Sequence, residues 1–222
     1  MASVLNILTD HGDIPANLAD LQEHLGGIPL ERISMQPPPG TATEMDVVKW
    51  KYCELVDGVI VVKASNMFKA LLSVELSCSI RSWAKENNDR GYVFPNVGYR
   101  FGDVIRLPDI SYVSAETWGN RRLRDVEIGD FAPDLAIDFI VPQNTQPEMK
   151  RKRAEYADAG VKLIWTVDTI EVGVWATCPS DGTESNWSGR TETLEAPDIL
   201  PGFRFSIGDW FAEVEGKFTR KR

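Results

Sequence analysis

The chain has 222 residues, of which 43% are hydrophobic, and its formal net charge is −9. This length suits one substantial domain with a buried core. The acidic balance argues against a protein that coats nucleic acid nonspecifically, because neutralisation of phosphates drives such binding, although a local basic patch can still serve an enzyme. No stretch is long and apolar enough to span a bilayer, and the N-terminus lacks the features of a signal peptide, so we expect no membrane partner.

Cysteine and histidine usage narrows the possible sites further. The three cysteines (Cys53, Cys78 and Cys178) are far apart in sequence, so they provide neither zinc spacing nor a disulfide framework. A reducing cytoplasm is therefore the expected location. The only two histidines are His11 and His24, both near the N-terminus. A histidine-based metal site or a Ser-His-Asp triad in the core is not expected.

Two parts of the chain are predicted from composition and order. An N-terminal arm covers residues 1–40, contains a short helix near residues 15–25 and ends in the Pro-Pro-Pro-Gly connector at 37–40. The main domain covers residues 41–222. No internal repeat interrupts it.

Helices and strands follow one another through the first half of the domain. Asn66 is predicted to cap a long helix that continues to about residue 88, with Leu72, Leu76 and Ile80 on its buried face. The other predicted elements here are a short helix near 44–52, a strand over 54–63 that turns at Asp57-Gly58, strands near 91–94, 97–101 and 103–114, and a loop over 115–132.

The segment over residues 134–141 predicts a strand with apolar residues on both faces apart from Asp138. This pattern is typical of a central strand that is buried on both sides. A carboxylate in such a place costs several kcal/mol or more unless it is paired, protonated or bound to a metal. Asp138 is therefore the first candidate for a functional acid.

A helix is predicted directly after this strand. Thr145 and Glu148 form a capping box with a proline in the first turn, and Gly160 is the expected end. By i, i+3, i+4 spacing one stripe of this helix, which we expect to face the sheet, contains Met149, Lys152, Arg153 and Tyr156. The alternative is that Lys152 extends along the helix flank with its ammonium group in water.

The remaining pattern completes a mixed sheet flanked by helices. A strand that ends at Asp168 closes a β-α-β unit, for which a right-handed crossover over 134–167 is expected. The later predicted elements are a hairpin partner at 171–177, a polar loop at 179–188, a strand near 189–195 and a short helix at 207–213. The predicted class is α/β, with helices against a mixed sheet.

Asp109 is a second candidate acid. Pro108 interrupts the strand predicted over residues 103–114, which favours an edge, a bulge or two short strands. Asp109 follows this proline at a strand start, where a turn or capping role is common.

These motifs together resemble the PD-(D/E)xK superfamily of nucleases, and more closely the Uma family of predicted endonucleases. The segments that carry the resemblance are Glu54-Leu-Val-Asp-Gly58, Leu107-Pro-Asp-Ile110, Pro133–Pro142, Lys152–Val161 and Trp165-Thr-Val-Asp168. The resemblance covers nearly the whole chain, and the order and spacing of the motifs carry it. It implies a restriction-endonuclease-like core, a mixed β-sheet flanked by helices.

The resemblance also implies a chemistry and a set of site residues. Asp109, Asp138 and the backbone carbonyl of Phe139 would bind Mg²⁺ or Mn²⁺, since hard cations prefer oxygen ligands. Lys152 would orient water and stabilise negative charge on the phosphate. Glu54 would be a further acid, with an exposed acid before the Asp57-Gly58 turn as the alternative.

The sequence departs from the family pattern at three places. Asp138 stands where the family usually has glutamate, and Ile140 replaces the superfamily's usual lysine. The segment over residues 64–68 lacks the histidine that the family often carries near the start of the early helix. Three basic runs could form a substrate patch or simply a solvated surface: Lys150–Arg153, Arg121–Arg124 and Arg220–Arg222.

The sequence therefore predicts a divalent-metal-dependent endonuclease that hydrolyses phosphodiester bonds, with DNA as substrate and a homodimer as the expected assembly for double-strand cutting. The rival prediction is a catalytically inactive nuclease-fold protein that binds nucleic acid or protein. The missing histidine and the acidic charge favour this rival, whereas Asp109, Asp138 and Lys152 favour the enzyme.

Overall fold

The computed structural model describes residue 15 and residues 17–182 and 185–218. His11 and the basic tail at 220–222, both singled out above, lie outside the described residues. Within the described part, the chain forms a mixed α/β structure of three sheets with six α-helices. None of these helices is long and apolar enough to cross a membrane.

The six α-helices differ in length. They are α1 (Leu18–His24), α2 (Glu44–Trp50), α3 (Met67–Glu86), α4 (Ala115–Trp118), α5 (Gln146–Asp158) and α6 (Ile207–Phe218).

The strands are short, between two and seven residues. They are β1 (Cys53–Val56), β2 (Val59–Val62), β3 (Tyr92–Pro95), β4 (Gly98–Phe101), β5 (Val104–Arg106), β6 (Ile110–Val113), β7 (Ile128–Gly129), β8 (Leu135–Ile140), β9 (Leu163–Asp168), β10 (Gly173–Thr177), β11 (Ser185–Gly189), β12 (Thr193–Ala196) and β13 (Leu200–Ser206).

A six-stranded mixed sheet, in the order β11-β10-β9-β8-β6-β3, forms the centre of the fold. Strands β8 and β9 are parallel and α5 connects them, as the sequence predicts, whereas β6 runs antiparallel to β8. Helices α3 and α6 pack against one face of this sheet through apolar side chains such as Leu72, Ile137 and Phe211. All six residues of β8 are buried, which confirms the central strand.

Helix α5 begins where the sequence signal for it lies. The Thr145 side chain accepts a hydrogen bond from the backbone N–H of Glu148, and the Glu148 carboxylate accepts one from the Thr145 N–H. Two backbone donors of the first helical turn therefore have partners. Three of the four residues predicted to face the sheet are buried, since Met149, Lys152 and Tyr156 are at most 3% exposed, whereas Arg153 is half-buried.

A second sheet of five strands, in the order β2-β1-β5-β4-β7, lies beside the first. Its β1–β2 hairpin turns at Asp57-Gly58, where Gly58 has a φ of +70°. A Cβ atom at Gly58 would lie 2.7 Å from the backbone of Gly40. Glycine is therefore required here both by the positive φ and by the lack of space for a side chain.

The segment before this sheet is packed on it. Leu21, Leu25 and Ile28 form a buried cluster with Val56 and Val59 of the hairpin. Helix α1 lies inside the range predicted for the arm. The division of the chain near residue 40 stays a prediction.

Three segments carry more regular structure than the sequence indicates. The predicted loop over 115–132 contains α4 and β7, the polar loop at 179–188 contains the start of β11, and Leu200–Phe203 belongs to β13. Strand β11 forms a hairpin with the preceding strand β10, whereas β7 pairs at a sheet edge with β4, which is distant in sequence. Such pairing depends on tertiary context, so local composition does not predict it.

Candidate active site

The fold brings the predicted site residues into one buried cluster. Glu54 comes from β1, Asp109 directly precedes β6, Asp138 lies in β8 and Lys152 lies in α5. None of these four residues is more than 3% exposed.

The two candidate acids are neighbours across the β6–β8 pair. Ile110 pairs with Ile137, which places Asp109 beside Asp138. The backbone N–H of Phe139 donates a hydrogen bond of 2.9 Å to Oδ2 of Asp109. Phe139 therefore contacts the site through its amide group, and its carbonyl role stays a prediction.

Asp138 is surrounded by donors. Its Oδ1 atom accepts hydrogen bonds from Lys63 at 2.8 Å and from Lys152 at 2.9 Å. Its Oδ2 atom accepts one of 2.7 Å from the hydroxyl group of Tyr156. The sequence-based alternative in which Lys152 extends into water is wrong, because Lys152 is buried and points into the cluster.

Lys63 follows β2 and is the most central cation of the cluster. Its ammonium nitrogen lies 2.8 Å from Oδ1 of Asp138, 3.0 Å from Oδ1 of Asp109 and 2.7 Å from the carbonyl oxygen of Leu107. Three oxygen atoms from three segments of the chain thus converge on one nitrogen.

Lys69, in the first turn of α3, reaches the same acid from another side. Its ammonium nitrogen lies 2.8 Å from Oδ1 of Asp109 and donates a hydrogen bond to the carbonyl group of Ala64. Oδ1 of Asp109 is close to both Lys63 and Lys69 but lacks the alignment of a hydrogen bond with either. We regard these contacts as ion pairs, since the charges are about 3 Å apart in a buried site.

Glu54 completes the cluster on the side away from Asp109. Its Oε1 atom lies 2.9 Å from Lys152 and accepts a hydrogen bond from the backbone N–H of Leu107. Its Oε2 atom accepts a hydrogen bond from Arg106, which also pairs with Glu155. The alternative of an exposed turn acid at Glu54 is therefore wrong.

The charges around Asp138 and Glu54 determine whether these two acids are ionised. Burial pushes the pKa of Asp138 upward, but Lys152 and Lys63 outweigh it and hold the pKa well below its ordinary range. The same opposition, with Lys152 and Arg106 as the main cations, lowers the pKa of Glu54 to about 2. Lysines on several sides of Asp138 thus favour its ionised form, although Asp109 lies beside it.

The pKa values of Lys63 and Lys69 shift in opposite directions. Burial lowers the pKa of Lys63, but Asp109 and Asp138 more than reverse this effect and raise the pKa well above its ordinary value. Burial and the neighbouring charge of Lys63 lower the pKa of Lys69 to about 8, despite its ion pair with Asp109. Lys69 has one acid within ion-pair distance, Asp109, whereas Lys63 has three, Asp109, Asp138 and Glu54, which explains the difference.

Sequence reasoning missed Lys63, Lys69 and Arg106 as members of the site. Lys69 precedes the buried residues Leu72 and Leu76 by three and seven positions, so it extends their stripe on α3. That spacing was an available signal. Helix α3 therefore contributes to the site through Lys69, although the family histidine is missing. Lys63 gave no local signal, because it lies at a strand end.

The basic runs are not equally available to a substrate. Arg151 makes two hydrogen bonds to Asp57, of 2.7 and 2.8 Å, and another to Glu155. Arg121 contacts Asp130 and lies over the ring of Phe131. These arginines are engaged in contacts within the protein.

The fold and the buried cluster define a nuclease-type α/β protein, and comparisons with known proteins agree. The family model Uma2, described as "Putative restriction endonuclease", matches residues 45–208. The chain therefore belongs to this family of nuclease-type hydrolases. No curated protein matches the chain.

A solved structure supports the same fold. It is the crystal structure described as a "putative nuclease belonging to DUF820 from Anabaena variabilis ATCC 29413", with 21% sequence identity and a TM-score of 0.65. The similarity covers 73% of this chain and 90% of that chain. At this identity the similarity establishes the fold, which is the restriction-endonuclease-like core that the sequence predicts.

The family generally uses divalent metals, so the donor set of the cluster can be compared with such an ion. The ammonium group of Lys63 is a stand-in cation, held by two carboxylates and one carbonyl group. Oxygen donors of these types fit Mg²⁺ or Mn²⁺. Within the described residues, no three acidic, histidine or cysteine side chains converge as a metal-binding group. The oxygen donors that converge here are therefore two carboxylates and one carbonyl group, at the position of the Lys63 ammonium group.

Proposed function

We propose that this chain is a divalent-metal-dependent endonuclease that hydrolyses phosphodiester bonds in DNA. The observation that supports this most directly is the convergence of Asp109 and Asp138 on a single cation, the Lys63 ammonium group, with Lys152 in contact with the same carboxylate. Two acids and a lysine at one end of a central strand are the groups that such hydrolysis needs.

In this proposal Asp109 and Asp138 hold Mg²⁺ or Mn²⁺, and the carbonyl group of Phe139 is a further candidate ligand. A bound divalent ion lowers the pKa of water and polarises the phosphate. The hydrogen bond from the Phe139 N–H fixes the orientation of Asp109, and the hydroxyl group of Tyr156 does the same for Asp138. Both carboxylates are thus pre-positioned before substrate arrives.

Lys152 has the role of a fixed positive charge in this proposal. It donates to Asp138 and lies 2.9 Å from Glu54, so two acids restrict where its ammonium group can lie. A positive charge held in a buried site stabilises negative charge that develops nearby more strongly than it would in water. Glu54 then acts as a positioning residue for Lys152.

Substrate would approach through a cleft that reaches the cluster at Asp109. This cleft has a volume of about 260 Å³, and Lys69, Asp109, Tyr52 and Asn96 are among the residues that line it. Lys69 is the cation at this side of the site and would face an incoming phosphate. DNA as substrate, a homodimer for double-strand cutting and a cytoplasmic location remain parts of this proposal.

One observation favours a second candidate function, a catalytically inactive nuclease-fold protein that binds nucleic acid or protein. Glu54, Asp109 and Asp138 are already matched by Lys63, Lys69 and Lys152. A divalent ion added to this balanced cluster would create excess positive charge in a buried place, which is unfavourable.

Plasmid nicking in Mg²⁺ or Mn²⁺ distinguishes the two candidates. The enzyme proposal expects metal-dependent nicking by the native chain, loss of nicking in Asp109→Ala and no loss in Asp103→Ala, a matched change at an exposed aspartate. If purified native chain nicks no plasmid in either metal but retards DNA or a protein partner, the inactive binding module is correct. Equal nicking by native chain and Asp109→Ala would show a contaminating nuclease and contradict the enzyme proposal.

A further inference from the structure

The Lys63 side chain occupies the place between the two acids. Its nitrogen is the atom that Asp109, Asp138 and the Leu107 carbonyl group share, at distances of 2.7–3.0 Å. The residue is 7% exposed, so water does not compete for these oxygen atoms to any large extent. A metal ion bound by Asp109 and Asp138 would need the same oxygen atoms.

We propose that Lys63 is an internal competitor for the metal position, so that the divalent ion and the Lys63 ammonium group bind between Asp109 and Asp138 in a mutually exclusive way. This inference rests on the proposed function, since it concerns how the same site is regulated. In the metal-free protein the Lys63 ammonium group therefore occupies the position between the two acids. Metal binding displaces Lys63 from this position.

Two physical arguments support mutual exclusion. An ammonium group and a divalent ion repel each other strongly at the short distance that shared ligands would impose, and burial reduces screening. The carboxylates also have few free positions, because Oδ2 of Asp109 accepts from Phe139 and Oδ2 of Asp138 accepts from Tyr156. The Oδ1 atoms that remain are those that Lys63 contacts.

Lys63 differs from the other lysines of the cluster in this respect. Lys152 contacts Asp138 and Glu54, and Lys69 contacts Asp109 alone among the acids. Within the described residues, Lys63 is the lysine that lies within 3.0 Å of both Asp109 and Asp138. The competition is therefore assigned to Lys63 specifically.

Isothermal titration with MnCl₂ tests the proposal. Lys63→Met keeps an unbranched side chain of similar length and removes the charge, and Lys150→Met is the matched control at an exposed lysine. Lys63→Met should bind Mn²⁺ about tenfold or more tightly than the native chain, because the competing charge is absent. Lys150→Met should bind as the native chain does. Equal affinity in all three proteins, or tighter binding in Lys150→Met to the same extent, would overturn the proposal.

A second measurement uses the native chain and does not depend on a variant. Acetylation of lysines followed by peptide mass spectrometry should give slow labelling of Lys63 without metal and labelling several times faster at saturating Mn²⁺, since the displaced side chain leaves its buried place. Lys150 should be labelled equally in both conditions. Unchanged protection of Lys63 at saturating Mn²⁺ would overturn displacement. If Lys63→Met does not fold, Lys63→Gln takes its place in the titration.

These results separate this inference from the proposed function. Tighter Mn²⁺ binding by Lys63→Met, together with no plasmid nicking by any form, supports the competition and contradicts the endonuclease. Mg²⁺-dependent nicking by the native chain, together with equal metal affinity of native chain and Lys63→Met, supports the endonuclease and contradicts the competition.

Discussion

The ammonium nitrogen of Lys63 lies 2.8 Å from Oδ1 of Asp138, although 75 residues separate the two in sequence. Lys63 follows β2 of the five-stranded sheet, and Asp138 lies in β8 of the six-stranded sheet. Their contact therefore joins the two sheets at the candidate active site. The same buried charges stabilise the fold and form the site, so substitutions here affect both.

Asp138→Asn should destabilise the metal-free protein by about 2 kcal/mol, because it leaves the buried ammonium groups of Lys63 and Lys152 with fewer negative partners. Two adjacent acids without basic partners would give the opposite result, since removal of one charge would relieve their repulsion. Urea unfolding in the presence of a chelator measures the change. Equal or greater stability of the variant would show that repulsion between the acids dominates after all.

Lys152→Met should abolish nicking and lower the free energy of unfolding by about 3 kcal/mol, because it leaves Asp138 and Glu54 with less positive charge in a buried place. Lys150→Met, two residues away and on the exposed side of α5, should change the free energy of unfolding by less than about 0.5 kcal/mol. The comparison of the two unfolding curves tests the prediction. Similarly small effects in both variants would show that the charge of Lys152 does not compensate Asp138 and Glu54.

Tyr156→Phe should cost about 1–2 kcal/mol, because the substitution removes the hydrogen bond of 2.7 Å to Oδ2 of Asp138 and keeps the ring. In the Asp138→Asn background the same substitution should cost less, since the charged acceptor is absent. A double-mutant cycle measures the coupling, which we expect to be about 1 kcal/mol. A coupling indistinguishable from zero would contradict the contact.

The pH dependence of stability should contain a contribution from Glu148, which is outside the cluster. Burial pushes its pKa upward, but two hydrogen bonds to Arg32, of 2.6 and 2.9 Å, outweigh this and lower the pKa from 4.5. An acid with a lowered pKa in the folded state stabilises the fold above its unfolded pKa, and this contribution disappears as the pH falls. Glu148→Gln should therefore reduce stability by about 2 kcal/mol at pH 7 and by less toward pH 3.

Urea unfolding of native chain and Glu148→Gln at several pH values between about 3 and 7 tests this window. The difference between the two proteins should shrink as the pH falls below about 4.5, because Glu148 binds a proton in the unfolded chain at a higher pH than in the folded chain. A difference that stays constant over the whole range would show that the ionised form of Glu148 is not what Arg32 stabilises.

Local sequence patterns were sufficient to predict the strands and the helix that carry the candidate site residues. The apolar residues on both faces of 134–141 predicted a buried strand, and the capping box at Thr145 predicted the start of α5. Pro108 indicated an edge, a bulge or two short strands, and the structure has two short strands, β5 and β6. These signals come from residues close in sequence, where side-chain direction and backbone capping depend on the local conformation. They also indicated Asp109, Asp138 and Lys152 as candidate site residues.

The partners of those acids were decided by the tertiary structure. Lys63 lies at the end of an edge hairpin, and Arg106 lies in a short strand, so their sequence neighbourhoods are those of ordinary surface residues. Only the packing of the five-stranded sheet against the central sheet places Lys63 between Asp109 and Asp138. Because the ionisation of a buried acid depends on charges within a few ångströms, the sequence determined which acids are costly, and the tertiary structure determined what compensates them.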